Sequence, residues 1–153
     1  MKNIFFYDTK IGKLAIIDNG TEITNIETAE EAYDGDYNVC ETKLIKNASE
    51  QLCEYFEGKR REFNLPLKLS GTDFQNKVWK ALCEIPYGET RSYKQIAERV
   101  GNPSGSRAVG GANNKNPIMI VVPCHRVVGS NGNLVGYASG LHIKEVLLSI
   151  ERH

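Results

Sequence analysis

The 153-residue sequence has no run of about 18 apolar residues, which excludes a helix spanning a bilayer. Its apolar start, Met1 to Asp8, is too short for a signal peptide and shows no cleavage site, so a cytoplasmic protein is expected. Cysteine is sparse and scattered: Cys40, Cys53, Cys83 and Cys124 form no Cys-x-x-Cys pair. With only three histidines, none near Cys40 or Cys53, the chain lacks the ligand spacing of a structural zinc site, and no metal is expected. A reducing cytosol argues against disulfides, so each cysteine is read alone; Cys40, Cys53 and Cys83 are expected to be buried apolar residues. No glycine motif for nucleotide binding is present.

The net charge is also zero, but it is unevenly distributed. Residues 1–70 carry 9 Lys/Arg against 13 Asp/Glu, and residues 71–153 carry 10 against 6. The basic excess gathers at Arg91, Lys94, Arg99, Arg107, Lys115 and Arg126, opposed in that stretch only by Glu98. Such a cluster fits a nucleic-acid surface, and equally an ordinary solvated face. Lys94, Arg99 and Lys115 are candidate phosphate contacts by position.

Length allows one domain or two small ones. A boundary near Ser70-Gly71 divides residues 1–70, an N-terminal structural domain, from residues 71–153. The first part reads as strands over Asn3–Asp8, Lys13–Asp18 and Thr21–Ile26, with turns at Thr9–Gly12 and Asn19-Gly20. Glu27–Asn38 is acidic and reads as a loop. From Glu41 the spacing of Leu44, Ala48, Leu52 and Tyr55 is helical, with Gly58 placed to end the helix.

The second part is more helical. Thr72 or Asp73 can cap a helix with Phe74, Val78, Leu82 and Ile85 on its apolar face, and Trp79 reads as core. Ser92 can cap a second, with Tyr93, Ile96, Ala97 and Val100. After Gly101-Asn102-Pro103 a third spans Gly105–Asn113, so a helix-turn-helix is expected. This third helix is made of Ser106, Arg107, Ala108, Val109, Gly110, Gly111 and Ala112, and glycine in a helix costs about 1 kcal/mol relative to alanine. Two explanations stand open. One is tight packing on another helix; the other is close approach of the backbone to a minor groove, with Arg107 projecting. A buried strand, Ile118–Val122, then leads to Pro123-Cys124-His125-Arg126-Val127, and Leu141–Glu151 closes the chain as a helix.

Cys124 has the setting of a nucleophile. A thiol with a pKa of about 8.5 is mostly protonated at neutral pH and needs electropositive help, which His125 and Arg126 offer in sequence. In a regular strand neighbours face opposite ways, so His125 reaches Cys124 only through a bend or a water. A structural cysteine beside a hydrogen-bonded histidine fits these residues equally well.

Pro123-Cys124-His125-Arg126-Val127 resembles the active-site motif of the O6-alkylguanine-DNA alkyltransferases, the methylated-DNA–protein-cysteine methyltransferases. Gly71–Gln75, Val78-Trp79, Ile85–Thr90, Ser92-Tyr93, Arg107–Ala112, Asn116-Pro117, Gly136-Tyr137 and Gly140-Leu141 match in order and spacing. Residues 71–151 resemble the family strongly and residues 1–70 by general layout. The resemblance implies an α+β fold: a small N-terminal antiparallel-sheet domain of ribonuclease-H-like type, and a helical C-terminal domain with a winged-helix-like helix-turn-helix. It implies a DNA-binding, DNA-repair methyltransferase that takes the alkyl group of O6-alkylguanine in double-stranded DNA, with O4-alkylthymine left open.

The resemblance also assigns roles. Cys124 is the alkyl acceptor, His125 takes its proton through a water, Glu151 orients the imidazole, and Asn116 ties the preceding turn to the active segment. Ser92, Tyr93, Ala108, Gly110, Gly111 and Arg126 belong to the DNA-facing set. Tyr93 crowds the phosphate of the target nucleotide, and Arg107 fills the place that nucleotide leaves in the stack. Val127 to Gly140 make the pocket wall, with Tyr137 against the base and Ala138 beside its O6 edge. Asn113-Asn114-Lys115 and Ala138-Ser139 depart from the family pattern around the pocket. A thioether has no leaving step, so the reaction is single-use, needs no cofactor and suits a monomer. A non-catalytic lesion-binding protein would lack Cys124, and a cysteine hydrolase would leave the helix-turn-helix without a purpose.

Overall fold

A computed structural model describes residues 1–153 except Glu31, Ala32, Asp34, Val135, Ala138 and His153. The chain divides into two compact units, Met1–Leu69 and Ser70–His153.

The first unit is a sheet of β1 (Lys2–Thr9), β2 (Gly12–Asp18), β3 (Ile23–Thr28) and β4 (Tyr37–Val39), in the order β3-β2-β1-β4. β1 and β2 form a hairpin in which Thr9 faces Gly12. The sheet is not wholly antiparallel: β4 pairs parallel to β1, and part of the acidic stretch read as loop supplies it. Leu14, Ala15, Ile16 and Ile17 are all buried because β2 is covered on both faces. Ala15 and Ile17 pack with Ile4 against Phe6, Tyr33 and Tyr37. Leu14 and Ile16 share the other side with Leu52 and Phe56 of α1 (Lys43–Phe56).

The start of α1 is set by Thr42, whose hydroxyl accepts from Ile45 N at 3.1 Å and donates to Asp18 at 2.6 Å. Asp18 is fully buried, and it also accepts from Asn3 and from Gly20 N. These bonds offset the cost of burying its carboxylate. Leu67, in the connector, bridges to Ile23 of β3.

The second unit contains α2 (Asp73–Cys83), α3 (Tyr93–Arg99), α4 (Ser106–Asn114) and α5 (Leu141–Glu151). Thr72 and Gln75 form a capping box at α2, and Ser92 and Gln95 form another at α3. Ser92 is therefore a helix cap in addition to any external contact. Trp79 is buried and donates to Ala112 O at 2.8 Å, joining α2 to α4. A short parallel pair links β5 (Arg91–Ser92) to β6 (Val127–Val128), which ties the start of α3 to the segment after Cys124.

Two expectations fail in instructive ways. Ile118–Val122 is a compact turn rather than a strand: Val122 N donates back to Ile118 O at 3.0 Å, and Ile120 has φ +74°. A β-branched residue in that region costs on the order of 1–3 kcal/mol, and here Ile120 is almost completely buried. Apolar character alone specified burial and not backbone form. Cys40, Cys53 and Cys83 are exposed, not buried; in α2 the inward positions go to Val78, Trp79, Ala81 and Leu82. No described helix is long and apolar enough to cross a membrane.

Candidate active site

Cys124, His125 and Arg126 form one turn of 3-10 helix directly after Pro123, and all three are buried. The turn supplies the bend that a strand would not. It sends His125 and Arg126 to one carboxylate, that of Glu151 on the last turn of α5. His125 Nε2 lies 2.6 Å from Glu151 Oε2. Arg126 Nε donates to Oε1 at 2.8 Å and its Nη2 to Oε2 at 3.2 Å, a bidentate pair. Gly88 N donates to Oε1 at 3.2 Å, from a turn in which Gly88 has φ +82°. Arg126 Nη1 also donates to Ile85 O, and its guanidinium lies 5.7 Å from the centre of the Tyr87 ring.

Arg126 is therefore interior. The sequence groups it with the basic surface and the DNA-facing set, but its charge is committed to Glu151, and it does not extend the exposed cluster. Within that cluster Arg91 pairs with Glu89 and Arg99 with Glu84, both near the surface.

The thiol of Cys124 contacts Tyr137 Oη at 3.7 Å. Burial pushes its pKa up, against the lowering effect of hydrogen bonds from Asn116 and Tyr137 and of the Lys144 charge. Burial pushes the His125 pKa down, while the Glu151 carboxylate opposes the shift. The resting site is thus a neutral thiol beside a neutral imidazole. With Nε2 bonded to a carboxylate, that nitrogen carries the ring proton and Nδ1 is left as the basic one.

Asn116 lies between α4 and the buried turn. Its Nδ2 donates to Val122 O at 2.8 Å, and its Oδ1 accepts from Ile118 N at 3.0 Å. Val127 is fully buried on β6. Tyr93 donates to Gly136 O at 3.4 Å, and burial pushes its phenol pKa up. Ala138 lies outside the described residues.

Lys144 is a functional candidate that sequence reasoning missed. It is fully buried on α5 and donates to Val127 O, and at 3.3 Å to Gly136 O. Its ammonium stands 5.8 Å from the centre of the Tyr93 ring and 5.9 Å from that of Tyr137. Burial lowers its pKa to about 8. The available signal was a lysine in register with Leu147, Leu148 and Glu151, on the stripe of α5 that faces inward.

On α4, Arg107, Ala108, Gly111 and Asn114 are exposed along one face. A methyl group added at Gly111 would meet nothing within 4 Å, and at Gly110 only the Tyr93 ring at 3.8 Å. Tight internal packing therefore does not explain these glycines, and the open face of α4 leaves the alternative of an external surface.

The comparisons with known proteins agree along the whole chain. Residues 5–69 match the ribonuclease-like domain of 6-O-methylguanine DNA methyltransferase, and residues 73–153 match its DNA binding domain. A methylated-DNA–protein-cysteine methyltransferase of Methanosarcina barkeri is 61% identical over 111 residues, covering 72% of this chain and 70% of that one. One from Mycobacterium leprae is 47% identical over 148 residues, covering 95% and 90%. The crystal structure of Mycobacterium tuberculosis OGT in complex with DNA matches with a TM-score of 0.92 and 45% identity, covering 98% and 92%. The buried Cys124 turn, with His125 and Glu151 behind it, thus lies in a chain that belongs to the 6-O-methylguanine DNA methyltransferase family.

Proposed function

We propose that this chain repairs DNA by direct reversal, moving the alkyl group of O6-alkylguanine onto its own Cys124. The observation that carries the assignment of residues is the His125–Glu151 contact of 2.6 Å, immediately beside the one buried thiol among the four cysteines. Glu151 holds the imidazole with Nε2 protonated, so Nδ1 takes the proton of the Cys124 thiol through a water. The sulfur attacks the alkyl carbon in line, the bond from that carbon to O6 breaks, and its electron pair stays with the guanine. The guanine regains a proton, so the proton lost by the thiol is balanced by the one gained by the base. The product is a thioether with no leaving step, which makes each molecule single-use.

The reactive carbon lies inside the duplex, so the nucleotide must rotate out at a cost of a few kcal/mol. The exposed face of α4 suits a minor groove: small residues let the backbone approach, and Arg107 fills the vacated position. Tyr137 lies against the extruded base and Tyr93 crowds its phosphate, a reading supported by the Lys144 ammonium standing 5.8 Å from the Tyr93 ring centre and 5.9 Å from that of Tyr137. Residues 1–70 serve as structural support, and the protein acts as a cytoplasmic monomer beside the DNA it repairs.

A duplex whose restriction site is blocked by one O6-methylguanine tests this on the DNA side. Stoichiometric protein should make the site cleavable, and Cys124→Ser should not. A site that stays blocked with the wild-type chain refutes the proposal.

A further inference from the structure

Asn113 has the least expected environment on α4. The sequence places it among pocket-border positions, yet it is 2% exposed, on the side of the helix away from Arg107, Ala108 and Gly111. Its Nδ2 donates to the main-chain carbonyl of Cys124 at 3.3 Å. That carbonyl also accepts from Val127 N, which closes the 3-10 turn, so both of its lone pairs are engaged. The companion bond comes from Asn116, which holds Val122 O, the same carbonyl that accepts from Cys124 N at 2.8 Å. Asn113 near the end of α4 and Asn116 just beyond it therefore grip the carbonyl of Cys124 itself and that of Val122, two residues before it.

Stability alone does not account for asparagine at position 113. It is a weaker helix former than leucine or methionine, and its Oδ1 is buried without a hydrogen-bond donor among the described residues. Both features favour an apolar side chain of the same size. What asparagine adds is a fixed orientation for the Cys124 peptide, and hence for the direction of its sulfur. In-line attack is sensitive to that direction, since a misplacement of about 1 Å costs on the order of 100-fold in rate.

We infer that Asn113 is a positioning residue for alkyl transfer: it ties the DNA-facing helix to the acceptor cysteine by holding the Cys124 carbonyl. The inference rests on the reading of Cys124 as the acceptor. Its action is static, so it serves a free-base substrate as well as a duplex.

The test is single-turnover transfer from a duplex carrying O6-methylguanine, measured across DNA concentration, with thermal unfolding of each variant. Asn113→Leu should keep or raise the unfolding midpoint and keep half-saturation within about twofold. It should slow the first-order step at saturation by about tenfold or more, and slow the reaction with free O6-benzylguanine by the same factor. Asn113→Gln, which retains an amide donor, should recover to within about threefold of wild type. Asn113→Met takes the place of Asn113→Leu if the latter does not fold. A saturating rate within twofold of wild type, a loss confined to half-saturation, or a glutamine variant as slow as leucine overturns the inference. If the wild-type chain itself takes no methyl group, the reading of Cys124 has failed instead.

Discussion

His125 and Glu151 are 26 residues apart in sequence and 2.6 Å apart in space, both buried. The same carboxylate receives Arg126 and Gly88 N, so one side chain orients the imidazole, neutralises an interior guanidinium and anchors a turn.

Glu151→Gln separates these duties. It leaves Arg126 as a buried charge without its counter-ion, and removing one partner of such a pair typically costs about 3–5 kcal/mol. Urea unfolding should show a loss in that range. The alkyl-transfer rate of the folded fraction should fall on the order of 100-fold, as for a misoriented general base. Full activity in the folded fraction would remove the orienting role.

Lys144 makes stability depend on pH in a defined direction. Its pKa is lowered by burial from 10.5 to about 8, so between those values the unfolded chain binds the proton and the folded chain does not. Stability therefore rises with pH from about 8, by at most about 1.4 kcal/mol per pH unit. Cys124 acts oppositely: its raised pKa means that stability is lost above the unfolded thiol value of 9.0. The clean window is pH 8 to 9. Chemical denaturation there should show the rise in wild type and its absence in Lys144→Met; a flat wild-type profile would contradict the assignment.

Gly111→Ala should stabilise the protein by about 0.5–1 kcal/mol, because the added methyl meets nothing and alanine is the better helix former. The same methyl should weaken duplex binding, read by fluorescence anisotropy. Stabilisation with unchanged DNA affinity would mean that this face of α4 is not the one presented to DNA.

Arg107 is exposed on that face. Arg107→Ala should slow repair of duplex much more than reaction with free O6-benzylguanine, which needs no extrusion. Equal losses on both substrates would remove the stacking role.

How far these features were legible in the sequence depends on what kind of signal each one left. Helix caps are local patterns: Ser92 caps α3 as read, and of the two residues read as able to cap α2 it is Thr72, not Asp73, that does so. The ordered motifs around Cys124 led to the family before any geometry was known. Ile118–Val122 misled because its apolar side chains record burial, while the turn they make is set by contacts elsewhere in the unit. Arg126 looked like a surface charge because its partner is 25 residues away on α5. Asn113 and Lys144 were hidden for the same reason: each acts through a carbonyl of a segment that only the folded chain brings near. The exposure of Cys83 followed from the rotation of α2, which no spacing rule fixed closely enough.

The most direct test of Cys124 as a single-use acceptor is the intact mass of the protein after reaction with excess duplex carrying one O6-methylguanine. Wild type should gain one methyl group and no more, located at Cys124 by peptide mapping, and Cys124→Ser should gain none. No gain on wild type, a gain above one, or an equal gain on Cys124→Ser would contradict it.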